Sequence, residues 1–197
     1  EQRSVLALVV NSDFAPLERG LRIGMLAPIS FDASTMEIWG ALLNGGECVV
    51  FPDRVPELSS LRRFFAAHPL DLLFLTTGLF NTIIDAGPDM LSNVSQLLTG
   101  GEAMSADHVR RARAQLPDIQ LANIYGPTES TTYATVFPLP DELPDRARIP
   151  IGRPLANTKV YILDAAGQPV AVGAPGELYI GGDGLARGYL GQPELTA

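Results

Sequence analysis

The sequence predicts an α/β fold in which a largely parallel sheet is flanked by helices and followed by a small antiparallel β-barrel portion. From residue 3 to about residue 137, short apolar runs alternate with helical patterns of apolar residues. Residues 138–154 are proline-rich and polar, and short strands joined by turns follow them without a helical pattern. The chain therefore divides into a predicted α/β subdomain, residues 1–137, and a predicted β-barrel portion, residues 138–197.

The spacing of apolar residues predicts each element in turn. Apolar residues three or four positions apart predict helices over residues 4–12, 34–43, 57–67, 79–85 and 106–115. Short apolar runs between them predict strands within residues 21–28, 47–51, 72–75, 97–98, 119–125 and 131–137. Strands that alternate with helices favour a parallel sheet covered on both faces. In the second unit, strands are predicted over residues 159–163 and 177–180, with a turn at residues 164–167.

The composition argues against several classes of function. The chain has 197 residues, of which 46% are hydrophobic and 18% charged, so it can bury a core. Its net charge of -8 would repel nucleic acid, and the run Arg110, Arg111 and Arg113 is expected to form a solvated helix face. No apolar stretch approaches the ~18 residues that are needed to cross a membrane. A single cysteine, Cys48, excludes a disulfide framework and fits a cytoplasmic protein.

Polar and glycine-rich segments follow four of the predicted strands. In open α/β sheets, ligands bind outside the carboxyl ends of the strands, so these segments are expected to form one site. The four segments are residues 30–32, 76–78, 99–102 and 125–129.

Residues 123–132, Asn-Ile-Tyr-Gly-Pro-Thr-Glu-Ser-Thr-Thr, carry the most chemical information. A glycine allows close approach of a ligand, Tyr125 offers a flat face to a base, and Thr128 can donate to a phosphate oxygen. A carboxylate such as Glu129 fits beside phosphates when a cation lies between them, and Mg²⁺ takes one or two carboxylates plus phosphate oxygens. A simple β-turn with a capped end is the alternative that these residues leave open.

Three motifs resemble those of the adenylate-forming superfamily, in the version found in adenylation domains of nonribosomal peptide synthetases. They are Tyr-Gly-Pro-Thr-Glu at 125–129, Phe-Asp-Ala-Ser-Thr-Met-Glu-Ile-Trp-Gly at 31–40, and Gly-Glu-Leu-Tyr-Ile-Gly-Gly-Asp-Gly-Leu-Ala-Arg-Gly-Tyr-Leu at 176–190. The resemblance implies two flavodoxin-like halves, a distorted β-barrel and a mobile C-terminal subdomain. This chain would supply one flavodoxin-like unit and part of the barrel, as an internal fragment.

The resemblance also implies a site for ATP and Mg²⁺. Thr128 would meet the α-phosphate and Glu129 would hold Mg²⁺, which makes these two the expected catalytic residues. Tyr125 would stack on the adenine, and Asn123 would contact its amino group. The implied reaction joins an amino acid to ATP and gives aminoacyl-AMP and pyrophosphate. The nucleotide-binding positions are Gly101, Asn123, Tyr125, Gly126 and Thr128.

Asp32 is the residue that separates the subfamilies. A buried carboxylate is costly unless it meets a cation, and the α-ammonium group of an amino acid is such a cation. In amino-acid-activating members an aspartate at this place binds that group, whereas a fatty acid offers no positive charge. The alternative is a helix N-cap, because aspartate is favoured there and a helical pattern follows.

The same alignment implies a pocket for the substrate side chain. Apart from Asp32 none of its residues is charged, so a neutral side chain is expected. Two glycines suggest room for a medium or large apolar or aromatic group, and Thr132 and Tyr133 could hydrogen-bond a hydroxyl. Gly78 lies where the family has a proline-containing stretch that this chain lacks. The implied substrate-binding positions are Asp32, Ala33, Met36, Gly78, Leu98, Gly100, Ile124, Thr132 and Tyr133.

Several partners and alternatives follow from the resemblance. A peptidyl carrier protein would accept the aminoacyl group, the rest of the adenylation domain would complete the site, and an MbtH-like protein is a further possible partner. The family's phosphate-binding loop, ribose-binding aspartate and catalytic lysine are not in these residues, so the isolated chain is expected to be inactive. The alternatives are a fragment of an acyl- or aryl-acid CoA ligase and a non-catalytic substrate-recognition module.

Overall fold

The computed structural model describes residues 1–10, 12–144 and 148–196. The helices are α1 (Gln2–Val9), α2 (Ala33–Leu42), α3 (Leu58–Ala67), α4 (Thr77–Ala86), α5 (Ala106–Gln115) and α6 (Pro193–Thr196), with 3₁₀ turns at Pro88–Leu91 and Thr128–Ser130. The strands are β1 (Arg22–Met25), β2 (Glu47–Val50), β3 (Leu70–Thr76), β4 (Val94–Gly100), β5 (Gln120–Tyr125), β6 (Thr135–Pro138), β7 (Arg153–Pro154), β8 (Thr158–Leu163) and β9 (Glu177–Gly182).

Seven of these strands form one sheet in the order β2-β1-β3-β4-β5-β6-β7. The first five run parallel, while β6 and β7 join antiparallel. The strands β8 and β9 form a separate antiparallel pair. The predicted α/β class, with a largely parallel sheet and a small antiparallel unit, is confirmed.

The largest departure from the predicted elements lies at the start of β6. Residues 131–137 were expected to be a strand, but Thr131 and Thr132 have φ angles of 60° and 71°, and β6 begins only at Thr135. Left-handed backbone is uncommon for a β-branched residue, so the sequence gives no sign of it. The main sheet also extends beyond residue 137, to Pro154 in β7. The subdomain boundary at 137/138 stays a prediction.

Two core clusters cover the two faces of the sheet. The α1–α2 cluster contains Leu8, Val9, Met36, Leu72, Leu98 and Ile124, and the α3–α5 cluster contains Leu61, Phe80, Leu73, Leu97 and Val109. Neighbouring strand residues belong to opposite clusters because side chains alternate between the faces of a strand. The helices after β1 and after β3 therefore cover different faces of the sheet.

The strand order reverses between β1 and β3. After β1 the chain passes through α2 to β2 at the sheet edge, whereas after β3 it passes through α4 to β4 in the opposite direction. The loops that leave β1 and β3 consequently diverge, which opens a crevice between the carboxyl ends of these two strands.

The arginine run in α5 is only partly a solvated face, which corrects the expectation for Arg113. The Arg113 side chain is 13% exposed and donates to the backbone carbonyls of Ile119 and Leu139 at 2.6 and 2.7 Å. Arg111 bonds to Asp85 at 2.6 Å, so these arginines tie α5 to its neighbours. Among the helices of the described residues, none combines the length and apolar character of a membrane span.

Candidate functional site

The four polar loops meet at one edge of the sheet, because β1, β3, β4 and β5 are neighbouring parallel strands. The Thr128 hydroxyl donates to Oδ2 of Asp32 at 2.5 Å, and the Thr132 hydroxyl donates to the backbone carbonyl of Asp32 at 3.0 Å. The Thr77 hydroxyl lies 3.1 Å from the carbonyl of Gly100 and 3.2 Å from that of Glu102. The first pair of contacts joins the loops after β1 and β5, and the second joins those after β3 and β4.

Asp32 stands at the N-cap position of α2, but its carboxylate makes no capping hydrogen bond. The helix-cap alternative is therefore wrong for this side chain. The half-buried carboxylate instead accepts a hydrogen bond from Thr128, a residue 96 positions away in the sequence. Asp32 is thus held at the contact between the predicted amino-acid and nucleotide positions.

Most of the predicted side-chain pocket belongs to the core. Met36 and Leu98 are 0% exposed, and Thr132 and Gly100 are also buried. Only Asp32, which is half-buried, and Gly78, which is exposed, reach the surface appreciably. The members of the α1–α2 cluster among the predicted positions are Ala33, Met36, Leu98, Ile124 and Tyr133.

The two glycines of the predicted pocket differ in whether their surroundings leave space for a side chain. A Cβ on Gly100 would lie 2.2 Å from the backbone carbonyl oxygen of Ile124, so the neighbouring strand itself requires glycine. A Cβ on Gly78 would have no heavy atom within 4 Å. Only Gly78 therefore borders open space, and the inference that both glycines leave room for a substrate is wrong for Gly100.

Tyr133 is a buried residue with an unsatisfied polar atom. Its ring packs edge-on against Phe14, with centroids 5.5 Å apart, and lies 5.7 Å from the ring of Phe74. No hydrogen-bond partner for its hydroxyl lies among the described residues. Burial, with the negative charges of Glu37 and Asp32, raises the pKa of Tyr133 far above its usual value, so the phenol stays neutral.

The loop after β5 folds back on itself. Ala134 N–H donates to the Tyr125 carbonyl at 2.8 Å, and a Cβ on Gly126 would lie 2.6 Å from both the Ala134 nitrogen and the Thr132 oxygen. A glycine is thus required at position 126, because residues 132–134 pass too close for a Cβ. The Tyr125 side chain remains 38% exposed at this edge, where its ring can stack on a flat ligand.

The other predicted nucleotide positions differ in exposure. Gly101 is exposed, has a φ of 94°, and borders open space. Asn123 is buried, and its Nδ2 donates to the Pro150 carbonyl at 2.8 Å. Its amide oxygen is then the atom left to accept from an exocyclic amino group.

Glu129 is exposed and contacts residues 184–189, which lie within the motif at 176–190. The Tyr189 hydroxyl donates to Oε1 of Glu129, and this bond lowers the pKa of the carboxyl, which is therefore ionised near neutral pH. The Ala186 N–H donates to the Glu129 carbonyl at 2.7 Å, and the Thr131 hydroxyl donates to the Gly184 carbonyl at 2.6 Å. Nothing local in either stretch of sequence signals these contacts.

The residues at this edge fit a magnesium ion that arrives with a nucleotide. In the described part of the chain, no group of three or more His, Cys, Asp or Glu residues could hold a metal. Glu129 offers an exposed carboxylate, and among the described residues no hydrogen bond engages its Oε2. One carboxylate is enough for Mg²⁺ when phosphate oxygens and water supply the other ligands.

Glu37 is the residue near the site that sequence reasoning missed. It is 0% exposed and accepts hydrogen bonds from the backbone N–H groups of Leu26 and Ala27, at 3.3 and 3.1 Å. Burial raises the pKa of Glu37 to about 7. The helical pattern could have revealed it, since Glu37 lies four residues after Ala33 and one after Met36, on the buried face of α2.

Glu37 lines a cavity of about 240 Å³ between the ends of β1 and β3. The cavity is mainly apolar in composition and opens beside the crevice where the strand order reverses. Its other lining residues include Phe31, Arg54, Phe74 and Thr76.

A family model described as AMP-binding enzyme matches residues 1–190. A linear gramicidin synthase of Brevibacillus parabrevis is 45% identical over 195 residues, which are 99% of this chain and 2% of that protein. Tyrocidine synthase 3 of the same organism is 40% identical over 198 residues, 100% of this chain and 3% of that protein. The chain therefore spans only a small part of these curated relatives.

Solved structures show the same likeness. Holo-PA1221, an NRPS protein containing adenylation and PCP domains bound to a vinylsulfonamide inhibitor, matches with a TM-score of 0.93 and 40% identity, over 98% of this chain and 34% of that chain. The N-terminal subdomain of Klebsiella oxytoca NpsA, in complex with 3-hydroxyanthranilyl-AMSN, matches with a TM-score of 0.90 and 28% identity, over 99% of this chain and 50% of that chain.

Proposed function

Because the chain belongs to the family of AMP-binding enzymes, we propose that it forms part of an adenylation domain that activates an amino acid with ATP. The products are aminoacyl-AMP and pyrophosphate, and a carrier-protein thiol then receives the aminoacyl group. The similarity to gramicidin and tyrocidine synthases supports this proposal, as does the similarity to an NRPS protein that contains adenylation and PCP domains.

The contact between Asp32 and Thr128 is the observation that carries the proposal. Asp32 binds the α-ammonium group of the substrate, and Thr128, whose hydroxyl lies 2.5 Å from Oδ2 of Asp32, binds an α-phosphate oxygen. This arrangement orients the substrate carboxylate toward the α-phosphorus of ATP. A carboxylate oxygen forms the new P–O bond as the bond to pyrophosphate breaks. Fixing both reactants in this way supplies much of the catalytic effect.

Tyr125, Asn123, Gly101 and Gly126 form the wall that binds the nucleotide. Tyr125 stacks on adenine, and the amide oxygen of Asn123 accepts from the adenine amino group. Glu129 would hold Mg²⁺, and the bound ion would neutralise the charge that develops on the phosphates. These roles agree with the exposure of the residues. Tyr125 and Glu129 are exposed and can contact the base and the metal from the surface, whereas Asn123 is buried.

We infer that the substrate side chain is neutral and of medium or large size, apolar or aromatic. The pocket positions carry no charge apart from Asp32, and a charged side chain buried there would lack a partner. Space for that side chain lies at Gly78. At Gly100 a glycine is required because the neighbouring strand would clash with a Cβ. The hydroxyl of Tyr133, which has no hydrogen-bond partner among the described residues, could hydrogen-bond a substrate hydroxyl.

A ligase for aryl or acyl acids is the second candidate. The observation that favours it is the similarity to NpsA, whose structure contains 3-hydroxyanthranilyl-AMSN. Asp32 favours the amino-acid substrate, because an acid without an amino group gives that carboxylate no cation. A non-catalytic recognition module is the third candidate, and it would bind an amino acid without exchange activity.

Pyrophosphate exchange on a complete adenylation domain that contains this chain tests the proposal. We expect exchange to depend on a neutral amino acid and on Asp32. A preference for aspartate, glutamate, lysine or arginine would contradict the proposed pocket. Exchange with an aryl acid that persists in Asp32→Ala would favour the ligase alternative.

The isolated 197-residue chain provides a separate test of its completeness. We propose that it depends on the rest of the adenylation domain, on a carrier protein and, in some settings, on an MbtH-like protein. It should show no exchange on its own. Robust amino-acid-dependent exchange by the isolated chain would contradict this part of the proposal.

A further inference from the structure

Residues 184–189, called the 184–189 segment below, brace the turn that carries Glu129. The backbone N–H of Ala186 donates to the Glu129 carbonyl, and the Thr131 hydroxyl donates to the Gly184 carbonyl. A Cβ on Gly184 would lie 2.6 Å from the Ser130 carbonyl oxygen, so the 184–189 segment and the turn that carries Glu129 are in close contact. These contacts fix the main chain of the turn and leave the Glu129 side chain unconstrained.

Tyr189 is the residue of the segment that contacts the Glu129 side chain. Its hydroxyl donates to Oε1, and Oε2 is left free for another ligand. A glutamate on an exposed turn otherwise samples several rotamers, and ordering such a side chain costs entropy. The effect of Tyr189 is therefore to order Glu129 before a ligand binds.

We propose that Tyr189 is a positioning residue, which orients the Glu129 carboxylate so that Oε2 binds the Mg²⁺ of the incoming nucleotide. The proposal rests on the proposed function, because it takes Glu129 as the magnesium ligand. Outer-shell residues of this kind fix the direction of a ligand's lone pairs, and their loss weakens metal binding by about 10-fold to 100-fold. In this role Tyr189 acts on the metal only through Glu129.

The test uses a complete adenylation domain that contains this chain, with Tyr189→Phe as the variant. Binding of Mn²⁺ in the presence of α,β-methylene ATP is followed by EPR, and binding of the same nucleotide in EDTA is followed by calorimetry. The matched control is Tyr179→Phe, because the Tyr179 hydroxyl also bonds a carboxylate, that of Glu177 at 3.3 Å, within β9. Glu129→Gln reports on the proposed ligand itself.

We expect Tyr189→Phe to weaken Mn²⁺ binding about 10-fold, at the lower end for an outer-shell residue. Nucleotide binding in EDTA should be unchanged, and Tyr179→Phe should match the wild type in both measurements. The melting temperature should also hold, since the backbone contacts of Ala186 and Gly184 do not need the Tyr189 hydroxyl. Wild-type Mn²⁺ binding by Tyr189→Phe, or equal loss in both tyrosine variants, would overturn the inference.

The double variant Glu129→Gln/Tyr189→Phe separates positioning from a general structural role. If Tyr189 acts through Glu129, adding Tyr189→Phe to Glu129→Gln causes no further loss of metal binding. A further loss contradicts the inference. If Glu129→Gln itself binds Mn²⁺ normally, the assignment of the magnesium ligand is wrong; if it weakens binding while Tyr189→Phe does not, only the role of Tyr189 is wrong.

Discussion

The amino-acid half and the nucleotide half of the proposed site are built in different ways. The amino-acid half consists largely of core side chains such as Met36, Leu98 and Ile124, which pack in the α1–α2 cluster. The nucleotide half consists of an exposed loop in which Tyr125, Thr128 and Glu129 reach the surface. The shape of the first half is therefore tied to the stability of the fold, whereas the chemistry of the second half can change at little cost in stability.

Removing a core side chain from the amino-acid half is expected to give the largest effect. Met36→Ala should destabilise the protein by about 3 to 4 kcal/mol, because a fully buried methionine leaves a cavity. The matching change in the nucleotide half, Glu129→Gln, should stay within about 0.5 kcal/mol, as for exposed sites in general. Urea unfolding measures both, and equal destabilisation by the two variants would remove the distinction between the halves.

Neutralising Asp32 comes next, as a change in binding rather than in stability. Asp32→Asn keeps the acceptor for Thr128 but removes the charge that meets the α-ammonium group. We expect kcat/KM for the amino acid to fall about 100-fold, as for loss of one partner of a desolvated charge pair. ATP binding should be retained, and Asp118→Asn, on an exposed residue at the other end of β5, is the control. An unchanged kcat/KM in Asp32→Asn would show that Asp32 does not bind the α-ammonium group of the substrate.

The buried carboxylate of Glu37 makes the stability of the amino-acid half depend on pH. Its folded-state pKa of about 7 lies above the ordinary value of 4.5, so the folded state binds the proton more tightly than the unfolded state. Stability therefore falls as pH rises from 4.5 to 7 and levels off above 7. Between pH 5 and pH 8 the unfolding free energy should drop by about 2 kcal/mol through this group.

Glu37→Gln is the variant that isolates this dependence. Unfolding curves at pH 5 and pH 8 should show the loss for the wild type and a smaller loss for Glu37→Gln. Exposed acids on other elements contribute equally to both proteins and cancel in the difference. A parallel pH profile for the two proteins would show that Glu37 titrates normally in the folded state.

The smallest effect is expected where the two halves touch, at the hydrogen bond from Thr128 to Asp32. A double-mutant cycle of Thr128→Val and Asp32→Ala, which removes the acceptor, should give a coupling of about 1 kcal/mol in amino-acid binding, or about 5-fold. Thr158→Val, in the strand β8, is the control and should show no coupling with Asp32→Ala. Strict additivity of the Thr128 and Asp32 variants would mean that the halves work independently.

Much of the fold could be predicted, because alternating apolar patterns determine parallel strands and covering helices. The exceptions have physical reasons. Thr131 and Thr132 are β-branched and suggest a strand, yet tertiary contacts hold both in left-handed backbone. The strand β7 consists of Arg153 and Pro154 in a proline-rich stretch, where no local pattern marks a strand.

The sequence predicted which loops form the candidate site, but not the side-chain contacts between those loops. Sheet topology brings Asp32 near the loop after β5, yet its bond to Thr128 spans 96 residues and has no local signal. The bond between Tyr189 and Glu129 is of the same kind. Glu37 is the opposite case, because its helical position beside Met36 marks it as buried although its charge suggests exposure.

The reversal of strand order between β1 and β3 has an evolutionary consequence. The loop after β1 is anchored by α2 on one face of the sheet, and the loop after β3 is anchored by α4 on the other. Either loop can therefore gain, lose or exchange residues while the opposite layer keeps its packing. A protein with this arrangement can acquire a new ligand preference by local changes at the crevice, without first discovering a new way to fold.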